Sequence, residues 1–96
     1  MYIARRVLLV ADKTDNKSEK LEVCFSKSIE DPNRQCFKTE VVISGFIKEV
    51  HSIAGVDSVD SISLALRFVQ GRLADLSEAY TLTWDDGSPY ESIKIN

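Results

Sequence analysis

The fold of this chain is decided by the stretch Gly55-Val56-Asp57-Ser58-Val59-Asp60-Ser61-Ile62 and the residues that follow it. From here on, apolar residues recur at a spacing of three or four, at Val59, Ile62, Leu66, Val69, Leu73 and Leu76. This spacing is typical of an amphipathic helix, so we predict a helix over residues 58–76 that buries this stripe against a sheet. Asp57 or Ser58 is placed to cap its first turn, and Asp60 adds negative charge where the helix dipole favours it.

Two residues of this helix carry expectations about packing. If Leu66 is fully buried, the substitution Leu66→Ala should lower the free energy of unfolding by about 2–5 kcal/mol. Gly71 costs about 1 kcal/mol relative to alanine inside a helix. The sequence leaves open whether Gly71 allows close packing on the sheet or marks a loose part of the helix.

The regions on both sides of the helix alternate between apolar and polar residues, which predicts strands. We predict strands over residues 3–11, 19–29, 36–44, 46–53, 80–84 and 90–95, with turns at 30–34 and 85–88. The order β-β-β-β-α-β-β predicts an α+β fold. In this two-layer sandwich, one long helix packs on one face of an antiparallel sheet of five to six strands. All 96 residues then form a single domain.

Composition and the N-terminal residues bear on location. The chain is 44% hydrophobic and 28% charged, which is typical of a globular protein, and it has no apolar run of bilayer length. Arg5-Arg6 precedes five apolar residues, but these lead directly into Asp12-Lys13 without a cleavage site for export. We therefore predict a cytoplasmic protein.

The residue types of a thiol-based catalytic site are present as Cys24 or Cys36, His51, and Asp57 or Asp60. An activated cysteine usually lies beside a base, often near a helix N-terminus, whereas both cysteines fall in predicted strands. We therefore predict that the protein is not an enzyme. We also expect both cysteines to be reduced and dispensable. In the predicted hairpin, Cys36 lies across from a residue near position 28 in the neighbouring strand, well away from Cys24.

Carboxylates near the C-terminus suggest a cation site. Asp85, Asp86 and Glu91 could supply oxygen ligands, but the run Asp85-Asp86-Gly87-Ser88 is typical of a hairpin turn. Two cysteines and one histidine are too few for a structural zinc site. The sequence therefore predicts no metal and no cofactor.

Charge is unevenly distributed along the chain. Residues 39–96 contain nine acidic and four basic residues, a balance that argues against nucleic acid as a partner and is compatible with a basic protein. We expect partner contacts at exposed carboxylates and one aromatic anchor: Glu40, Glu49, Asp57, Asp60, Asp85, Asp86, Tyr90 and Glu91. Tyr90 follows Pro89 and should be exposed, Trp84 should lie in the core, and Arg67 and Arg72 should be solvated.

Four short motifs also suggest a family. They are Ile3-Ala4-Arg5-Arg6, Gly55-Val56-Asp57-Ser58, Leu64-Ala65-Leu66 and Leu82-Thr83-Trp84. With these motifs the chain resembles a family of small uncharacterised bacterial proteins. The resemblance implies a bacterial cytoplasmic protein of this size with a helix-on-sheet fold, and it nominates no catalytic residue.

These features together predict a small cytoplasmic domain that binds another protein without membrane or nucleic-acid contact. The most specific form of this hypothesis is an immunity protein that neutralises a basic bacterial toxin domain by stoichiometric binding. One alternative is a structural or assembly subunit, such as a homodimer joined through a sheet face or an edge strand. Another is a module that binds a small ligand without catalysis.

Overall fold

The computed structural model describes residues 2–14 and 17–91. In this part of the chain, one helix packs against a curled antiparallel sheet of six strands, which confirms the α+β fold. The elements are β1 (Tyr2–Asp12), β2 (Ser18–Ser26), β3 (Ile29–Asp31), β4 (Cys36–Gly45), β5 (Glu49–Gly55), α1 (Ser58–Ala79) and β6 (Tyr80–Thr83).

The strands β1, β2, β4 and β5 are neighbours in the sheet, and each pair is antiparallel. The short strand β3 lies on the same side of β4 as β2, with Ile29 opposite Lys38 and Phe25 opposite Val41. β2 and β3 therefore act as one bent strand. After the helix, β6 returns to the free side of β1, where Leu9 lies opposite Thr83.

The bend between β2 and β3 differs from the predicted continuous strand over residues 19–29. The hydroxyl of Ser26 accepts a hydrogen bond from the Glu40 backbone N–H at 2.8 Å, so a side chain takes the place of a ladder partner. The hairpin that follows is tighter than predicted. Asp31 belongs to β3 and lies opposite Cys36, so the predicted pairing of Cys36 with a residue near position 28 is wrong.

Two other predicted strands differ at their ends. β5 begins at Glu49 rather than Phe46, because Gly45 adopts a φ of +97° and Phe46 N–H donates to the Lys20 carbonyl at 2.9 Å. The chain therefore turns over these residues before it pairs again. The predicted strand over residues 90–95 lies mostly outside the described residues, and Pro89 forms a single bridge to Thr83.

Alternate residues of the central strands form the core. Side chains that are fully or nearly fully buried include Leu8, Val10, Leu21, Val23, Val41 and Ile43. They share the sheet face that α1 covers, because successive residues of a strand point to opposite faces. The other face carries Lys38, Glu40 and Val42 of β4, as the alternation predicted.

The face that α1 buries differs from the predicted stripe in its N-terminal half. The buried helix residues are Ser61, Ala65, Val69, Leu73 and Leu76. Val59 is 72% exposed, Leu66 is 44% exposed, and Ile62 is half-buried. The prediction that Val59 and Leu66 lie in the core is therefore wrong, whereas Val69, Leu73 and Leu76 are placed as expected.

A close contact between Gly55 and Ser61 accounts for this helix face. A Cβ atom on Gly55 would lie 2.4 Å from the Ser61 backbone nitrogen, so the strand end and the first helical turn touch through their backbones. The fully buried Ser61 hydroxyl lies 2.9 Å from the Thr39 hydroxyl and 2.6 Å from that of Ser28. Because only a small side chain fits at this distance, Ser61 faces the sheet in the first turn of α1, Ala65 follows one turn later, and the larger Val69, Leu73 and Leu76 face the sheet further along the helix.

Gly71 makes no comparable contact. A Cβ atom at Gly71 would meet no atom within 4 Å, so the residue does not serve close packing of the helix on the sheet.

These two glycines should respond to alanine in opposite directions. We expect Gly55→Ala to destabilise the fold by about 1–3 kcal/mol or more, because the new methyl group overlaps backbone atoms of Ser61. Gly71→Ala should stabilise it by up to about 1 kcal/mol through helix propensity. Urea unfolding of both variants measures the difference, and equal effects would contradict the close contact.

Candidate functional site

Three side chains form a compact group where the segment after β6 passes beside β1. The Arg6 guanidinium lies 5.5 Å from the centre of the Trp84 ring and 5.6 Å from that of Tyr90. Arg6 also donates a hydrogen bond to the Tyr90 hydroxyl at 3.2 Å. The two rings meet edge to face, 5.4 Å apart. We call Arg6, Trp84 and Tyr90 the aromatic–arginine cluster.

The turn after β6 positions this cluster. Trp84 N–H donates to the Ser88 carbonyl and Gly87 N–H donates to the Trp84 carbonyl, each at 2.9 Å. Gly87 has a φ of +89°, which a glycine adopts without strain. Tyr90 N–H then donates to the Leu82 carbonyl at 3.1 Å, so the ring returns beside β6.

Asp86 stabilises the same turn. Its carboxylate accepts hydrogen bonds from the Ser88 backbone N–H at 2.8 Å and from the Ser88 hydroxyl at 2.6 Å. These bonds lower the pKa of Asp86. The hairpin turn predicted for residues 85–88 is therefore present.

The structure reverses the expected exposure of the two aromatic residues. Trp84 is 36% exposed rather than buried in the core, because it lies just past the end of β6 and contacts Arg6 and Tyr90 there. Tyr90 is half-buried rather than exposed, because it packs against the core and shares a cavity of about 30 Å³ with Leu73, Ala74 and Ser77 of α1.

An apolar row on α1 leads to the cluster. Val59, Ile62 and Leu66 lie on one side of the helix, since residues three, four and seven apart share a side. Leu73 continues this row about 10 Å further along the axis and lines the cavity beside Tyr90. We call Val59, Ile62 and Leu66 the α1 stripe, and the stripe with the aromatic–arginine cluster the helix-side surface.

Four of the predicted partner residues belong to the segment at one end of this surface: Tyr90, which is part of the cluster, and the carboxylates of Asp85, Asp86 and Glu91. Asp85, Asp86 and Glu91 are exposed and adjoin Trp84 and Tyr90 in sequence. We call these three exposed carboxylates, which flank Trp84 and Tyr90 in sequence, the acidic border.

Asp57 and Asp60 lie at the other end of α1, about 33 Å away along its 22 residues. Asp57 accepts a hydrogen bond from the Asp60 N–H at 2.7 Å, and Asp60 accepts one from the Val56 N–H at 2.9 Å. Both carboxylates are thus engaged in capping the helix, as expected for Asp57. The predicted acidic residues do not form one continuous patch.

Glu49 is half-buried, and its carboxylate is engaged by other side chains of the chain. Its carboxylate accepts hydrogen bonds from both Nε and Nη2 of Arg72, the former at 3.1 Å, and lies 2.8 Å from His51 Nε2. The Arg72 bonds, followed by the His51 contact, lower the pKa of Glu49 to about 2. Arg72 is accordingly not the solvated residue that the sequence predicted. The His51 ring also packs on Phe68 of α1, 4.5 Å between centres.

Glu40 lies on the sheet face away from the helix. There it lines an open groove of about 330 Å³ together with Ile29, Ser52 and the ion pair of Asp31 and Lys38, whose charged atoms are 3.1 Å apart. This groove is separated from the helix-side surface by the sheet itself.

The residue types considered for thiol catalysis are not brought together. Cys24 lies opposite Val42 and His51 lies opposite Val41, so the cysteine and the histidine point to opposite sheet faces. Both cysteines are free. Burial and a hydrogen bond to Glu22 raise the pKa of the Cys24 thiol, which is the reverse of what an activated nucleophile needs.

Within residues 2–14 and 17–91, no group of three or more histidine, cysteine or carboxylate side chains is arranged to hold a metal ion. No helix in these ranges combines the length and the hydropathy that a membrane span requires.

Comparison with known proteins adds no assignment. No family model, no curated protein and no solved structure matches this chain. The resemblance suggested by the four sequence motifs therefore stays a prediction.

Sequence reasoning did not nominate Arg6 as a functional residue. The available signal was its position in β1, two residues before Leu8, which places its side chain on the face that α1 covers.

The ion pair of Glu49 and Arg72 makes the free energy of unfolding depend on pH in the acidic range. The ordinary pKa of 4.5 for Glu49 falls to about 2 in the folded chain. Its contribution to stability is therefore complete above about pH 4.5 and is lost as the pH falls towards 2. We expect Glu49→Gln to flatten the decline of unfolding free energy between these pH values. Urea unfolding at several pH values tests this, with Glu40→Gln as the matched carboxylate control, and equal slopes for Glu49→Gln and wild type would contradict it.

Proposed function

We propose that this chain is a protein-binding domain that recognises its partner through the helix-side surface. The observation that carries the proposal is that exposed Val59 and Leu66 lie on the side of α1 whose Leu73 meets Tyr90, a member of a fixed group of arginine, tryptophan and tyrosine. Arginine, tryptophan and tyrosine are the residues most enriched at the energetic centres of protein interfaces.

The side chains of the cluster are held by one another and by the backbone of the chain itself. Arg6 is held by a hydrogen bond and by two ring contacts, and Tyr90 is fixed by its backbone bond to Leu82. Binding through side chains that are already fixed loses less conformational entropy than binding through mobile ones. This supports an interface centred on Trp84, which is exposed beside two rigid neighbours.

The α1 stripe supplies exposed apolar area on the side of the helix that also meets Tyr90. Val59 and Leu66 are large apolar residues that are exposed to solvent and do not belong to the core. A contiguous exposed apolar surface bordered by charge is typical of an interaction site.

The acidic border suggests the sign of the partner's charge. Asp85, Asp86 and Glu91 are exposed, so they would attract a basic surface during encounter while adding little to the final affinity. Within this proposal the partner is a basic toxin domain, and the protein neutralises it as an immunity protein by stoichiometric binding.

A co-expression experiment tests the proposal. A cognate toxin domain is expressed with and without this chain, and surviving cells are counted. We expect survival with the wild-type chain. Leu66→Asp should abolish protection although the residue is exposed and the fold persists. Trp84→Ala should weaken affinity for the purified toxin domain by about thirtyfold, the effect of about 2 kcal/mol at an interface centre.

Charge-reversal variants test whether the acidic border attracts the partner during association. The double substitution Asp85→Lys and Glu91→Lys should slow association and reduce its salt dependence, as followed by stopped-flow mixing. Glu40→Lys, on the other face of the sheet, is the matched control and should leave association unchanged. Full killing in the presence of folded wild-type chain would refute the toxin assignment, and an equal effect of Glu40→Lys would refute the assigned surface.

A further inference from the structure

The strand β5 lies on the opposite side of α1 from the α1 stripe and forms one edge of the sheet. Within the described residues, β5 pairs with β4 on one side and with no strand on the other. Its seven residues, from Glu49 to Gly55, contain neither lysine nor proline, the residues that commonly prevent an exposed strand from pairing. We propose that β5 pairs with β5 of a second copy of this chain, in antiparallel orientation, to form a homodimer with a continuous sheet.

The sequence of β5 is compatible with pairing about a twofold axis at Ser52. In this register Ser52 lies opposite Ser52 of the second copy, and Val50 lies opposite Ala54. On the helix-facing side, His51 lies opposite Ile53, and Glu49 lies opposite Gly55. No two like charges meet, which self-pairing of a strand requires.

Charges at the two ends of the strand add complementarity. The same register brings Lys48, which precedes β5, towards Val56 and Asp57, which follow β5 in the second copy. Lys48 and Asp57 are both exposed, and each pair occurs twice because of the twofold axis.

Exposed apolar residues at this edge are the ones that pairing would cover. Val50 is 59% exposed and Val56 is 80% exposed, although both lie in or next to β5. In the paired arrangement Val50 gains Ala54 as a neighbour, and Val56 gains the aliphatic part of Lys48. An isolated chain leaves both valines in water.

The helix leaves this edge accessible. The contacts of Phe68 with His51 and of Arg72 with Glu49 place α1 over one face of β5. An added strand approaches in the plane of the sheet instead. The α1 stripe lies on the other side of the helix from Phe68, so dimerisation and partner binding use separate surfaces and neither depends on the other.

Sedimentation velocity of the whole chain tests the dimer. Between about 1 µM and about 1 mM, we expect a concentration-dependent change from the 10.8 kDa monomer to twice that mass. A monomer throughout this range would overturn the proposal.

Substitutions at the twofold axis identify the surface. Ser52 is exposed, so Ser52→Lys and Ser52→Asp should each fold, but each places two like charges opposite one another and should weaken dimerisation by at least about tenfold. An equimolar mixture of the two variants should restore a dimer, because lysine then faces aspartate. Thr81→Lys, at an exposed position of the edge strand β6, is the matched control and should dimerise as the wild type does. Persistence of the dimer in both Ser52 variants, or failure of the mixture to restore it, would overturn the assigned edge.

Discussion

The backbone contact between Gly55 and Ser61 determines how the two layers of this protein fit together. It joins the end of β5 to the first turn of α1 at a distance that excludes a Cβ atom on Gly55. The buried hydroxyls of Ser61, Thr39 and Ser28 satisfy one another there, so the polar groups are not left without partners. With this end fixed, Ser61 and Ala65 face the sheet, and Val59 and Leu66 are left exposed. The surface proposed for partner binding follows from this one constraint.

Most of the fold could be predicted from local patterns in the sequence. The alternation over β1, β2 and β4 reflects burial on one sheet face, and Asp57 is a recognisable helix cap. The rotation of α1 was not predictable from hydrophobic spacing, because Val59, Ile62 and Leu66 have the period of a buried stripe. What decides between the two faces is the space available beside Gly55, and that is a property of the tertiary contact. A glycine followed six residues later by serine carries no local signal of this kind.

The candidate site was less predictable than the fold. Tyr90, Asp85, Asp86 and Glu91 were nominated from the sequence and lie together, but the arginine beside them comes from β1, 84 residues from Tyr90. A contact between residues so far apart in sequence forms only because β6 returns to β1 after the helix. Glu49 was nominated as a surface charge, yet Arg72 lies over it because α1 crosses β5. Formal charge identifies a carboxylate but does not show whether another element covers it.

The relative cost of two leucine truncations tests this account of the helix face most directly. Leu66 and Leu73 are seven residues apart on α1 and have the same side chain, but Leu66 is 44% exposed and Leu73 is 1% exposed. Urea unfolding should show that Leu73→Ala lowers the free energy of unfolding by about 2–5 kcal/mol, and that Leu66→Ala lowers it by less than about 1 kcal/mol. Equal losses, or a larger loss for Leu66→Ala, would show that the predicted stripe is buried after all and that the helix-side surface does not exist.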